Sequence, residues 1–203
     1  MRETILSLDL ATITGWCLWD IAKGEPIQAG IIDCSIRTKE TKTIPKDPKS
    51  LRLKKLEMGL TDIFKYVTRT NKVISQISYE KIIMGSRAGG NTSAVARHLE
   101  ATLLLWAHEE DWSIIDYSAG TIKKHATGDG SWRTKKEHMI SAAKEKWPEF
   151  VKFLNQSGQC EIVDSWIQGD LFGESEIVNS RIFDDNVADA LHLASLTASN
   201  LWD

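Results

Sequence analysis

Near the N-terminus Ile5, Leu6, Leu8 and Leu10 fall in near-alternation with polar positions. A second apolar run, Trp16 to Trp19, follows a short polar turn that ends at Gly15. A spacing of two predicts strands over 3–10 and 13–19, paired as a hairpin, and a third strand over 26–33. The rhythm then becomes helical over 50–69, extended over 77–84, helical over 91–110 and extended over 112–117. Two more helices follow, over 134–146 and 184–200. Three early strands with short turns predict an antiparallel meander, and the later strand–helix alternation predicts parallel additions to the same sheet. The expected architecture is a single α/β domain spanning 1–203, a mixed five-stranded sheet flanked by helices. Two stretches carry no periodicity: 36–49, rich in Lys and Thr with Pro45 and Pro48, and 153–183, polar with several glycines. A loop as long as the second reads as an insertion that is functional or mobile.

In the helix over 91–110, Ala94, Val95, His98, Leu99, Thr102, Leu103 and Trp106 form a stripe at helical spacing, as for a core-facing helix. Leu104 and Leu105 widen the apolar surface beyond one stripe, which suits contact with a second subunit.

One residue disturbs the pattern. Asp9 sits inside the first strand, among positions that should be buried, where an unpaired carboxylate is unfavourable. Three other acidic positions share its character. Glu80 lies in the strand QISYEKIIM. Asp185 and Asp189 lie four apart at the start of DDNVADALHLASLTA, whose Val187, Ala190, Leu191, Ala194 and Ala198 define a buried helix face. Asn186 and His192 fall on or near the same side. Each has a plain explanation: Asp184 or Asp185 caps the helix, Asp9 bonds turn amides around Thr12–Gly15, Glu80 is a strand-edge charge, and His192 is a satisfied core histidine. Together, two strand carboxylates and two at one helix start would repel unless a cation sits between them. Hard oxygen ligands favour Mg²⁺, with Mn²⁺ as a substitute. Two such ions can activate a water and stabilise a leaving oxygen in phosphodiester cleavage. Asp9 is therefore read as a metal ligand.

Bulk properties narrow the class. The chain has 203 residues, 42% hydrophobic and 26% charged, enough for one domain with a sizeable core. The first apolar run is short and holds Asp9, unlike a signal peptide, and no stretch reaches transmembrane length. Cys17, Cys34 and Cys160 are scattered and odd in number, so a reducing cytoplasm is expected, with no membrane association. The net charge of −3 argues against a wholesale polyanion binder, but its distribution is uneven. Residues 36–55 hold eight bases against two acids, 122–146 seven against three, and 157–189 one against eight. Basic patches beside an acidic site suit a protein that holds phosphates and binds metal, although any one patch alone reads as a solvated face.

The ordered set of motifs resembles the RuvC-type Holliday-junction resolvases of the RNase H-like superfamily, particularly those carried by phages, over most of the chain. SLDLATITGW is similar to the family's first strand and turn, and ISYEKII to its second acidic strand. IKKHATGDGSWRTKKEHM is similar to its basic loop, and DNVADALHLA to its C-terminal acidic helix. The resemblance implies an RNase H-like fold and a Mg²⁺-dependent endonuclease. Its catalytic carboxylates would be Asp9, Glu80 and Asp189, with two metal ions per site. Family members commonly carry Asp or His three positions before the final Asp; here Asn186 stands there with Asp185 beside it, and either could be the further ligand. Lys123 and Lys135 would contact backbone phosphates near the cut. Lys124, Lys136, Trp132 and Arg133 would extend the DNA-binding surface, with Trp132 either stacking on an unpaired base or packing over the Gly-x-Gly turn. The helix after Glu80 is similar to the one through which the family dimerises, and a two-fold dimer would place paired nicks in a four-way junction. Branched DNA would be the partner and the host cytoplasm the setting if the source is a phage. No organic cofactor is implied.

Three other readings use some of the same residues. A ribonuclease H would cut RNA–DNA hybrids with the same carboxylates, but the IKKHATG loop and the dimer-like helix favour a resolvase. An actin-like sugar kinase also opens with a strand, an Asp and a Thr-rich turn, but it needs two such domains and a Gly-rich adenosine site. A junction-binding protein that has lost cleavage is kept open by Asn186.

Overall fold

The computed structural model describes residues 2–39, 45–82, 90–131, 133–157 and 184–201. The strands are β1 (Arg2–Asp9), β2 (Ile13–Asp20), β3 (Glu25–Asp33), β4 (Lys72–Glu80) and β5 (Ser113–Tyr117). The helices are α1 (Ser50–Arg69), α2 (Gly90–Glu109), α3 (Ala119–Thr127), α4 (Lys136–Lys146), α5 (Pro148–Ser157) and α6 (Asp185–Asn200). The sheet order is β3-β2-β1-β4-β5. β1, β2 and β3 pair antiparallel, while β4 joins β1 and β5 joins β4 in parallel. The mixed five-stranded sheet expected from the sequence is present. None of the described helices is long and apolar enough to cross a membrane.

β1 is the central strand, and Thr4 to Leu8 are buried on both faces. Its alternation sorts them into two cores. Leu6 and Leu8 meet Leu56 and Leu60 of α1 and Leu99 and Leu103 of α2. Ile5 faces the other way, onto Ala190, Leu191 and Ala194 of α6. Ser7 and Asp9 share that face by their spacing of two, and Ser7 Oγ lies 2.6 Å from Ser78 Oγ across β1 and β4. Pairing the two hydroxyls satisfies groups that would otherwise be buried without partners.

α6 is buried on nearly every side, because the sheet lies beneath it while α3 and α4 pack alongside. Its small residues permit a close approach to the sheet. At Gly15 a Cβ atom would stand 2.0 Å from the Asn186 carbonyl oxygen and 2.9 Å from the Val187 nitrogen. Gly15 is thus not the end of a turn but a β2 residue on which the first turn of α6 rests.

His192 is fully buried, and its Nε2 lies 3.0 Å from the Met139 carbonyl of α4, which can only accept. Burial pushes its pKa down to about 4, so the ring is neutral at physiological pH. It is the core histidine among the alternatives read from the sequence, satisfied at Nε2 while its buried Nδ1 has no hydrogen-bond partner. One turn on, Ser195 Oγ joins His125 Nε2 of α3 at 3.1 Å and Lys146 Nζ of α4 at 3.0 Å. This polar staple ties three helices together.

Some expectations shift. β4 begins at Lys72, not 77, because the β1–β4 register slips between Thr4 and Ile5 and leaves Ser75 as a bulge that breaks the alternation. α3 and α5 were not expected. α3 buries only Ile122 and reads as a polar loop, although Ser118 caps its start and left-handed Gly128 (φ 79°) ends it. α5 opens at Pro148 and takes residues 153–157 out of the expected insertion; 158–183, with Cys160, lie outside the described residues. On α2 the core face is Val95, Leu99, Leu103, Trp106 and Ala107, while Ala94 and His98 are exposed. The face is set by the line of contact with α1 and β5, which runs one position off the expected stripe.

Candidate active site

Asp9 ends β1 and Glu80 ends β4, two parallel neighbours. Their last paired residues are Leu8 and Tyr79, so the next step along the register sets Asp9 beside Glu80. Both fall on the α6 face of the sheet, by alternation from Ser7 and Ser78. In the β1–β2 ladder Asp9 lies opposite Gly15, on which α6 rests. One turn into α6 stands Asp189. Residues 71 and 109 positions apart in the chain are thereby gathered at one end of the central strands.

Their charges act on one another. Burial, then Glu80 and Asp189, raise the Asp9 carboxyl well above its usual range. Asp189 is pushed up to about 7, by burial first and then by Glu80. Burial raises Glu80 as well, opposed by Lys123. Asp189 Oδ1 is buried and has no hydrogen-bond partner. Among the described residues, no three acidic, histidine or cysteine side chains already form a closed metal cage. The carboxylates share one like-charged neighbourhood without a preformed coordination geometry. The donor chemistry nonetheless fits a hard divalent cation: several carboxylates, mutual repulsion, and a buried oxygen lacking a partner.

The start of α6 divides its three polar residues among different tasks. Asp184 is the N-cap: its Oδ1 accepts from the Val187 amide at 3.1 Å and its Oδ2 from Asn186 Nδ2 at 3.2 Å. It is also the further acidic residue that raises both Asp9 and Asp189. Asp185 forms an ion pair with Lys136 at the start of α4. Asn186 gives its side-chain amide to Asp184 and its carbonyl to the contact over Gly15. The sequence had treated Asp184 as a cap at most; the Asp-Asp doublet was the signal for a cap and a second charge together.

The basic loop arrives from α3 and α4. Lys123, half-buried, lowers the pKa of Glu80 and Asp189, so the structure brings it to the acidic cluster. Lys136 also lowers Asp9 and Asp189. Lys135 is instead the N-cap of α4: its backbone amide donates to His138 Nδ1 at 3.2 Å and its side chain is exposed. Lys124 and Arg133 are exposed on the same segment. Between them Asp129 folds the turn, accepting from the Ser131 amide at 2.9 Å and its hydroxyl at 2.8 Å, while Thr134 Oγ1 donates to the Asp129 carbonyl at 2.7 Å. Trp132 lies outside the described residues.

A five-stranded sheet of this order, with carboxylates at the ends of its first and fourth strands and on the last helix, is an RNase H-like fold. Within that class the fold is that of the RuvC-type resolvases. The chain superposes on Thermus thermophilus RuvC in complex with a Holliday junction substrate with a TM-score of 0.56 at 12% identity, covering 99% of this chain and 94% of that one. Thermus thermophilus RuvC by itself gives 0.51 at 13%, covering 100% and 96%. The yeast mitochondrial Holliday junction resolvase Ydc2 gives 0.52 at 13%, covering 97% and 78%. No family model matches the chain, and no curated protein matches it in sequence.

Proposed function

We propose that the protein is a divalent-metal-dependent endonuclease that resolves four-way DNA junctions. The observation that carries the reading is the gathering of Asp9, Glu80 and Asp189 at one end of the central strands, with the Asp9 and Asp189 carboxyls both raised, on a fold shared with junction resolvases. Such a cluster is poised to exchange protons for a cation. Asp9, Glu80 and Asp189 would hold two Mg²⁺, which supply an activated water and neutralise charge on the departing 3′ oxygen. Asp184 adds negative charge while keeping the helix start in place. Lys123, already at the cluster, would hold the phosphate next to the one being cut and favour the developing charge. The exposed Lys124, Arg133 and Lys135 would grip neighbouring phosphates, fixing register without reading sequence. A second copy packed on α2, where Leu105 is 65% and Leu104 40% exposed, would supply the second nick.

The test is cleavage of a labelled synthetic four-way junction, beside linear duplex and RNA–DNA hybrid, in Mg²⁺ and in chelator. Paired nicks in the junction alone, lost in chelator, are expected. Cutting of the hybrid would move the reading to a ribonuclease H, and binding without cutting in either Mg²⁺ or Mn²⁺ would leave a junction-binding protein. Lys123→Ala is expected to slow cutting roughly a hundredfold although the loss of its positive charge should, if anything, tighten Mn²⁺ binding; an unchanged rate removes its role.

A further inference from the structure

We propose that Lys136 is the resident counter-cation of the acidic cluster, held there by Asp185, and that it competes with the metal for the cluster. This rests on reading Asp9, Glu80 and Asp189 as the cation site. Two facts carry it. Lys136 Nζ is ion-paired with the Asp185 carboxylate, which joins the first turn of α4 to the first turn of α6 across 49 positions of sequence. Asp185 lies one helical turn before Asp189, so this pairing holds the ammonium near the cluster, where its charge acts favourably on both Asp9 and Asp189.

Its exposure fits a movable charge. The Lys136 side chain is 72% exposed and reaches in from solvent, whereas Asp185 is 23% exposed. An ammonium on a flexible stem can leave without disturbing the core. In the metal-free protein it offsets repulsion among carboxylates that cannot separate, because β1, β4 and α6 are fixed by packing. When a divalent cation arrives, the ammonium is repelled, and a DNA phosphate is its natural next partner. Metal and DNA would then support each other's binding through one side chain. Asp185, on this account, is the anchor of Lys136 and not a metal ligand.

Mn²⁺ binding to the full chain, read by the electron paramagnetic resonance of the free ion without DNA, tests the inference apart from any cutting. Lys136→Met is expected to bind Mn²⁺ about tenfold more tightly, since a positive charge has been removed from a cation site. Asp185→Asn is expected to bind several-fold more weakly, because the freed ammonium leans further onto Asp9 and Asp189. The double variant should return to the affinity of Lys136→Met alone. If Asp185 were a direct ligand, the double variant would stay weak, and the inference would be overturned. Unchanged or weaker binding by both Lys136→Met and Lys136→Gln would overturn it too, leaving the cation site intact. Absence of bound Mn²⁺ in wild type and variants alike removes the cation site and this inference together.

Discussion

Asp189→Asn is expected to abolish cutting and, at the same time, to make the metal-free protein more stable at pH 8. The two effects have one origin. In the folded protein the Asp189 carboxyl titrates at about 7, against an ordinary 3.8. The folded state therefore holds a proton that the unfolded chain releases between about pH 4 and pH 7. Stability in chelator should fall as pH rises through that window, because the unfolded state binds fewer protons there. Above it the carboxylate is charged, half-buried and repelled by Glu80 and Asp184. An uncharged amide of the same shape removes the repulsion, on the order of 2 kcal/mol, or a rise of roughly 4–8 °C in Tm. The Asn side chain cannot replace the negative charge that a metal requires. Loss of the metal's contribution, several kcal/mol of transition-state stabilisation, corresponds to about a thousandfold or more in rate.

The measurement is a set of melts of wild type and Asp189→Asn at pH 5 and pH 8, with chelator and with Mg²⁺. Wild type should gain from Mg²⁺ mainly at pH 8, where protons no longer compete, while the variant gains little at either pH. Asp9→Asn should follow the same pattern, since burial and the same neighbours raise its carboxyl. If either variant were less stable than wild type in chelator at pH 8, the carboxylate would be holding the fold through contacts, and the cation reading would lose its main support.

How much of this was legible beforehand differs by element. The central strand announced itself because Ile5, Leu6 and Leu8 pack between two layers, where the buried polar groups are hydroxyls with hydrogen-bond partners. Asp9 stood out against that background, and Asp189 against the alanines of α6. Among the unexpected features, α3 carries a single buried apolar residue, Ile122, between its caps, and the start of β4 is set off from the rest of the strand by the bulge at Ser75. Periodicity averages over such features. The division of labour at Asp184, Asp185 and Asn186 was out of reach for a different reason. Which of three adjacent polar residues caps the helix decides the direction of the other two by about 100° per residue. The cap is chosen by the packing of α6 on β2, far away in sequence. The pairing of Lys136 with Asp185 depends on the same packing, through α4.

Gly15→Ala is therefore expected to damage the site without touching a carboxylate. The added methyl would meet the Asn186 carbonyl oxygen at 2.0 Å and its carbon at 2.3 Å. Both belong to backbone, so no side chain can rotate aside. Relief requires the first turn of α6 to lift from β2 by roughly 1 Å, given carbon–oxygen contacts of about 3.3 Å and some sharing of the strain. That turn carries the Asp184 cap and leads into Asp189, and β2 at Gly15 is paired with Asp9 itself. A misplacement of about 1 Å can reduce rate roughly a hundredfold, and overpacking of this kind destabilises by about 1–3 kcal/mol. Gly24→Ala is the control. Gly24 has φ 67°, which an alanine adopts with strain of about 1 kcal/mol, but a Cβ there would meet nothing within 4 Å. The control should lose stability with cutting and Mn²⁺ affinity unchanged, whereas Gly15→Ala should lose all three. Equal cutting rates for the two variants would mean that the seat of α6 on β2 does not set the geometry of the carboxylates.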